Sequence, residues 1–150
     1  MTCTDEAISL LRFLNIQPPV LRQARAELEA GRKASHWMWF VFPQLAGLGV
    51  SSISRRYAIA SREEAASYLG HPVLGARLRD MTQVVNAVTG RSARDIFGTP
   101  DDLKFRSSMT LFACIAEPDS VFEQALHKYF GGEPDPRTLR LLASPEPRGR

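Results

Sequence analysis

Along most of the chain, apolar residues recur three and four positions apart, which is the spacing of one face of an α-helix. The longest such stripe lies between Pro72 and Gly90 and consists of Leu74, Leu78, Met81, Val85 and Val88. No run alternates apolar and polar residues with the β-branched content of a strand, and no Asn-Gly turn joins two such runs. The pattern predicts an all-α fold without a significant sheet.

Capping residues and helix breakers divide this pattern into about seven to eight helices. Ser61 with Glu64 has the spacing of a capping box. The prolines of residues 17–19 predict a break between a first helix over 5–14 and a second over 20–30, because proline lacks the backbone donor and clashes with the preceding turn. Further helix starts are predicted at Ser92, at Thr99, at Asp119 or Ser120, and at Asp135.

Length and composition are those of one folded unit. The chain has 150 residues, of which 44% are hydrophobic and 23% charged, so it can bury a core of its own. We predict a single domain over residues 1–143 and a disordered tail over the Pro-, Gly- and Arg-rich residues 144–150. The net charge of +3 is close to neutral, and bulk charge therefore makes a nucleic-acid partner unlikely.

Cysteine content and the longest apolar run indicate the cellular compartment of the protein. The two cysteines, Cys3 and Cys114, have neither a C-x-x-C spacing nor neighbouring histidines, so we predict no metal site, no disulfide framework and no cofactor. The amino-terminal residues lack the layout of a signal peptide. The run over 37–42 is far shorter than the roughly 20 residues of a membrane span. These features predict a cytoplasmic protein without a membrane partner.

An aromatic segment is the first stretch with a functional signal. Residues 36–42 contain both tryptophans, two of the eight phenylalanines and one of the three histidines. A helix capped by Ser35 and ended by Pro43 would be apolar on all sides, which is typical of a helix that fills the core. The segment also suits a stacking pocket, in which the indoles hold a flat ring while Arg32 and Lys33 bind a phosphate or carboxylate. The sequence leaves both interpretations open.

The glycines that follow this segment add a weaker signal. Gly47 and Gly49 would let the backbone approach an anion closely, and the helix after them carries Arg55 and Arg56. Their spacing matches neither the P-loop nor the dinucleotide fingerprint. The loop is therefore interpreted either as a flexible connector or as a phosphate-binding turn.

Residues 101–114 form the second stretch with a functional signal. Apolar side chains occupy two faces of the predicted helix, so it should be central, and its polar residues should lie in or near the interior. Lys104 and Ser108 are neighbours on the helix surface, and Asp101 lies three positions before Lys104. Either Lys104 is solvated and the small hydroxyls allow close packing, or a desolvated lysine and hydroxyls line a polar pocket.

We expect residues 32–44 and 101–110 to meet around one polar pocket, because each segment carries polar groups that need partners. The candidate catalytic residues are Lys104, Asp102 and His36. The candidate ligand-binding residues are Arg32, Lys33, Trp37, Trp39, Gln44, Ser107 and Ser108.

The same segments carry a family resemblance. The chain resembles the bacterial family called domain of unknown function 1810 over roughly residues 5–142. The motifs that carry the resemblance lie at residues 31–45, 47–49, 57–59, 68–75, 101–112 and 129–132. Some members are labelled calpastatin, although an inhibitor of that kind is disordered and poor in aromatic residues. The resemblance implies a compact all-α fold.

A looser similarity is to the helical NADAR superfamily, which acts on N-glycosidic bonds of ADP-ribosylated bases and related metabolites. The shared features are the early aromatic segment, the acidic stretch at 63–66 and a late lysine in an apolar helix. In the aromatic segment this chain lacks that superfamily's glutamate and has His36 and Trp37 nearby instead. The similarity implies a nucleotide-like ligand.

Three functions fit these residues. The first is a site for a small nucleotide- or nucleoside-like molecule, with hydrolysis of an N-glycosidic bond as the chemistry that the NADAR similarity implies. The second is a non-catalytic interaction module whose aromatic segment is core. The third is nucleic-acid binding by a contiguous basic face. The arginines considered for that face are Arg22, Arg25, Arg91 and Arg94.

Overall fold

The computed structural model describes residues 3–49 and 51–143, with side chains from residue 9 onward. Within these residues the only β-structure is an isolated parallel bridge between Leu45 and Ile59, and the prediction of an all-α fold is confirmed. The described helices are α1 (Cys3–Glu29), α2 (Met38–Val41), α3 (Ser52–Arg56), α4 (Arg62–Gly70), α5 (Leu74–Asn86), α6 (Ala93–Phe97), α7 (Asp101–Ala113), α8 (Val121–Phe130) and α9 (Pro136–Ala143). None of them has the length and apolar character needed to cross a membrane.

Helix α7 lies at the centre of the core, as its two apolar faces predict. It packs against α4, α6, α8 and α9, and Phe105, Met109 and Phe112 are fully buried. The ring of Phe105 makes an edge-to-face contact with Phe42, with 5.1 Å between the ring centroids. The core therefore joins α7 directly to the aromatic segment.

The predicted break at the two prolines is wrong. Helix α1 continues through Pro18 and Pro19, which both lie exposed on its surface. A proline inside a helix costs about 3 kcal/mol, but burial on the opposite face outweighs that cost. The side chain of Gln17, also buried, donates to the carbonyl of Phe40 and to the hydroxyl of Tyr68. These contacts hold the helix in register across the prolines.

The helix starts predicted at Ser61 and Ser92 differ in the partner of the acidic side chain. The capping box of Ser92 and Asp95 is complete. Ser61 caps α4 as predicted, but the carboxylate of Glu64 turns to the backbone N–H of Ala60 instead of that of Ser61. Arg12 of α1 accounts for this turn, since its guanidinium lies 3.0 Å from Glu64 Oε1 and forms a largely buried ion pair.

The aromatic segment is less helical than predicted. Ser35 does not cap a helix, because its hydroxyl and its backbone N–H both bond to the carboxylate of Glu27. Helix α2 spans only Met38–Val41. The predicted tail at 144–150, and with it the predicted domain boundary, lies outside the described residues.

Candidate functional site

The loop after α1 is organised by the carboxylate of Glu27. Its Oε1 accepts hydrogen bonds from the backbone N–H groups of Ala34 and Ser35 and from Nε1 of Trp37, at 2.7, 2.9 and 2.9 Å. Its Oε2 accepts from Ser35 Oγ and Gln23 Nε2. Burial alone would raise the pKa of this carboxyl group, but the hydrogen bonds from Ser35, Ala34 and Gln23 lower it to about 2. Glu27 is thus a buried anion that shapes the segment leading to the site.

Lys33 lies under this loop and not in solvent. Its side chain is only 7% exposed, and its ammonium forms an ion pair with Asp101 Oδ2 at 2.8 Å. The ammonium also donates to the carbonyl of Ser35 and lies 5.1 Å from the centroid of the Trp37 ring. The aromatic segment and α7, distant in sequence, are therefore joined by a partly buried charge pair.

The carboxylate of Asp101 has a second cation. Lys104 Nζ lies 3.3 Å from Asp101 Oδ1, so Asp101 lies between two lysines. Lys104 is more exposed than Lys33, at 25% of its side chain, and its ammonium lies 4.7 Å from the centroid of the Trp39 ring. This row of charges and indoles leads from the interior to a surface cavity.

The cavity has a volume of about 530 Å³, which is within the usual range for small-molecule sites. It lies between the end of the aromatic segment, the loop after it, α7 and the start of α9. Among its lining residues are four predicted site residues, namely Trp39, Gln44, Lys104 and Ser107. The other lining residues are Leu48, Gly49, Ser51, Ser54, Pro100, Leu103, Arg106, Asp135 and Arg137.

Two polar side chains at the cavity have no partner in the described part of the chain. The Nε1 atom of Trp39 is buried and makes no hydrogen bond. The amide of Gln44 lines the cavity, and no hydrogen bond to it is present among the described residues. A buried donor without a partner costs about 1–3 kcal/mol. Such groups are the ones through which a bound molecule can be recognised.

Positive charge exceeds negative charge around the cavity. Lys104, Arg106 and Arg137 line it, whereas Asp135 is the one carboxylate among the described lining residues. Oδ2 of Asp135 is occupied, because it caps α9 through the backbone N–H and hydroxyl of Thr138 and accepts from Ser107 Oγ. The arrangement favours an anionic ligand.

Arg106 and Arg137 were not predicted as site residues. Arg106 is held over the cavity by donating to the carbonyls of Glu133 and Pro134, in the turn before α9. Its guanidinium also lies 3.7 Å from the exposed carboxylate of Glu133. Arg137 lies two residues after the predicted helix start at Asp135, in the first turn of α9. Arg106 lies two residues after Lys104 in α7. Arg137 reaches Lys104 only through the packing of α7 against α9, which no spacing along the chain signals.

Other candidate residues lie away from the cavity lining. His36 and Arg32 are exposed, and Lys33 lies behind Asp101. Oδ1 of Asp102 accepts a hydrogen bond from Thr99 Oγ1 at the start of α7. Two candidates are core residues, namely Trp37, which is 1% exposed, and Ser108, which is fully buried and whose Oγ has no partner among the described residues.

Two of the arginines considered for nucleic-acid binding, Arg22 and Arg25, lie next to acidic residues. Arg25 pairs with both Asp80 and Glu29, so its charge is neutralised on the surface of α1 and α5. Arg22 lines the same shallow groove as these acidic residues. The groove is therefore mixed in charge.

Residues 7–142 match the family described as "Protein of unknown function (DUF1810)". The chain belongs to this family. It is also similar to a conserved hypothetical protein, Rv1873 from Mycobacterium tuberculosis, whose crystal structure was determined at 1.38 Å. The two share 56% identity with a TM-score of 0.88, over 90% of this chain and 96% of that chain. No curated protein matches the chain at a significant level.

Proposed function

We propose that this DUF1810 protein binds a small nucleotide-like molecule in the cavity between the aromatic segment, α7 and α9. The observation that carries the proposal is the charge of the lining: three cationic side chains, Lys104, Arg106 and Arg137, face one carboxylate, Asp135, around about 530 Å³. Cationic donors of this kind bind phosphate and carboxylate oxygens through charge-assisted hydrogen bonds. The anionic group of the ligand would lie at these three side chains.

The opposite side of the cavity suits a flat ring. Trp39 lines the cavity, and its buried Nε1–H group has no partner among the described residues. Gln44 adds an amide that both donates and accepts, as the edge of a nucleobase requires. A base next to Trp39 and Gln44 and a phosphate at Lys104 would engage both sides of the cavity.

The proposal is one of binding. Hydrolysis of an N-glycosidic bond needs an acid or base at that bond, and the candidates His36 and Asp102 do not line the cavity. Among the described lining residues Asp135 is the remaining carboxylate, and its Oδ2 already accepts from Thr138 and Ser107. Cleavage would have to use Asp135 or Lys104 in a role that the present contacts do not favour.

Isothermal titration with adenosine 5′-monophosphate, adenosine and inorganic phosphate tests the proposal. We expect the monophosphate to bind more tightly than either fragment, because it engages both sides of the cavity. Lys104→Met should weaken its binding by roughly 10- to 100-fold, the value of a charge-assisted hydrogen bond. Lys128→Met is the matched control, since Lys128 lies outside the cavity and bonds to the carbonyls of Asn86 and Val88.

Two results would overturn the proposal. One is the absence of any binding heat with the monophosphate and with phosphate at millimolar concentration. The other is equal affinity in the Lys104→Met and Lys128→Met variants. If adenosine bound as tightly as its monophosphate, the proposed anion site would be contradicted, whereas the proposed site for the ring would stand.

A further inference from the structure

We propose that Lys33 and Asp101 are positioning residues that keep the ammonium of Lys104 available to an anion in the cavity. The role in ligand binding rests on the proposed function, whereas the effect on Lys104 itself does not. Neither Lys33 nor Asp101 lines the cavity. Both would therefore act through Lys104.

The geometry of Asp101 carries this inference. Each of its carboxylate oxygens faces a different lysine: Oδ2 lies 2.8 Å from Lys33 Nζ, and Oδ1 lies 3.3 Å from Lys104 Nζ. The contact with Lys33 is the shorter one and involves the more buried lysine, 7% exposed against 25%. Asp101 is therefore paired chiefly with Lys33, and its pair with Lys104 is the weaker of the two.

The charges of the three side chains sum to one surplus positive charge, and the more exposed lysine carries it. When Lys104 turns to an anion in the cavity, the partly buried carboxylate of Asp101 stays paired with Lys33 and is not left without a partner. An unpaired buried charge is strongly destabilising. Because Lys33 stays paired with Asp101, Lys104 can leave this carboxylate without the energetic cost of an unpaired charge.

Without Lys33, Asp101 should hold the ammonium of Lys104 and make it less available to the ligand. In a Lys33→Met variant, Lys104 would be the only cation paired with Asp101 among the residues that the structure describes. The ligand would then compete with that carboxylate for the ammonium. Removing the competitor as well, in Lys33→Met/Asp101→Asn, should free Lys104 again. Restoration by a second substitution is not expected of residues that merely support the fold.

The binding test measures the affinity for adenosine 5′-monophosphate by titration in four variants. We expect Lys33→Met to weaken binding about three- to tenfold, within the range of a partly exposed ion pair. The double variant should return to within about twofold of the wild type, and Asp101→Asn alone should bind at least as tightly as the wild type. Arg32→Met is the matched control, because it removes the same charge one residue away at an exposed side chain outside the pair.

A second measurement needs no ligand. The chain has three lysines, Lys33, Lys104 and Lys128. Acetylation of Lys104 by a trace of acetic anhydride, measured by mass spectrometry relative to Lys128, should slow in Lys33→Met because the ammonium is held by Asp101. It should recover in the double variant and be unaffected by Arg32→Met.

The outcomes separate the two proposals. If the wild-type protein binds the monophosphate but Lys33→Met binds equally well, the positioning role is overturned and the proposed function stands. An equal loss in Lys33→Met and Arg32→Met would also overturn it, since general electrostatics would then explain both. If no protein binds the probe, the proposed function fails, and the acetylation rates alone decide whether Lys33 controls Lys104. Unchanged rates in Lys33→Met would overturn that control too.

Discussion

Trp37 donates its indole N–H to Oε1 of Glu27 at 2.9 Å, across ten residues of the chain. The indole is 1% exposed and the glutamate 7%. The bond ties the last turns of α1 to the start of α2, and Trp39, two residues further on, lines the cavity. The position of the site therefore depends on a buried carboxylate that does not line it.

Glu27→Gln should destabilise the protein at neutral pH. A neutral amide replaces an acceptor-only carboxylate and brings an N–H₂ group to donors that need an acceptor. The fall of the pKa from 4.5 to about 2 on folding corresponds to roughly 3 kcal/mol. Urea unfolding at pH 7 should therefore show a loss of about 3 kcal/mol in the variant. Glu29→Gln, an exposed change in the same helix, should show little loss.

The pH dependence of that difference follows from the sign of the shift. The pKa of Glu27 is lower in the folded protein, so its contribution is complete above about 4.5 and is lost as the pH falls towards 2. The wild type and Glu27→Gln should therefore approach each other in stability between these values. Other carboxyl groups titrate in both proteins and cancel in the comparison. A gap that stayed constant down to pH 2 would contradict the assignment.

Substitution by phenylalanine should lower the stability of the protein at Trp37 but not at Trp39. Trp37→Phe removes a hydrogen bond from the buried carboxylate of Glu27 and leaves space in the core, so we expect a loss of roughly 2–3 kcal/mol. Trp39→Phe removes an N–H group that has no partner, and the unfolding free energy should change by less than about 1 kcal/mol. Its affinity for adenosine 5′-monophosphate should fall. Equal losses of stability in both variants would show that Trp39 is a core residue like Trp37.

The helical periods and caps predicted most of the fold because they are local. Ser92 with Asp95 satisfies backbone donors within four residues, and that box is complete. The break predicted at Pro18 and Pro19 was wrong because the contacts that keep α1 continuous are not local. They are hydrogen bonds from Gln17 to Phe40 and Tyr68. Partners so far apart in the chain leave no trace in a local pattern.

The residues that line the cavity could be predicted only in part, for the same reason. Trp39 and Lys104 stand out by type, as an indole and a cation within apolar surroundings, and they lie together at the cavity. Glu27 reads as an ordinary surface glutamate of an amphipathic helix, and only the fold shows the loop around it. Arg106 looks equally ordinary, because the carbonyls that aim it belong to the turn before α9.

Adjacent serines of α7 provide a further matched test. Ser107 Oγ contacts Asp135 Oδ2 at 3.0 Å and the carbonyl of Leu103 at 3.1 Å, so Ser107→Ala should cost about 1 kcal/mol. Ser108 Oγ is buried without a partner, and Ser108→Ala should leave stability unchanged or raise it by about 1 kcal/mol. Chemical denaturation of both variants checks the difference. A clear loss in Ser108→Ala would mean that its hydroxyl has a partner, such as an internal water.

Lys104→Met separates a structural lysine from a ligand-binding one. Breaking a buried pair by removing one partner costs about 3–5 kcal/mol when the other charge is left alone. That cost should not arise here, because Asp101 keeps Lys33 at 2.8 Å after Lys104 is removed. We expect the unfolding free energy of Lys104→Met to stay within about 1 kcal/mol of the wild type.

Asp101→Ala is the opposite case, because Lys33 is 7% exposed and would lose its only carboxylate partner among the described residues. We expect that variant to lose roughly 3 kcal/mol. Thermal and urea unfolding of the two variants check the contrast. Equal losses would mean that Lys104, and not Lys33, is the principal partner of Asp101. A residue that recognises the ligand should be dispensable for folding stability but needed for binding of the anion. Lys104 should therefore show a loss of affinity without a loss of stability.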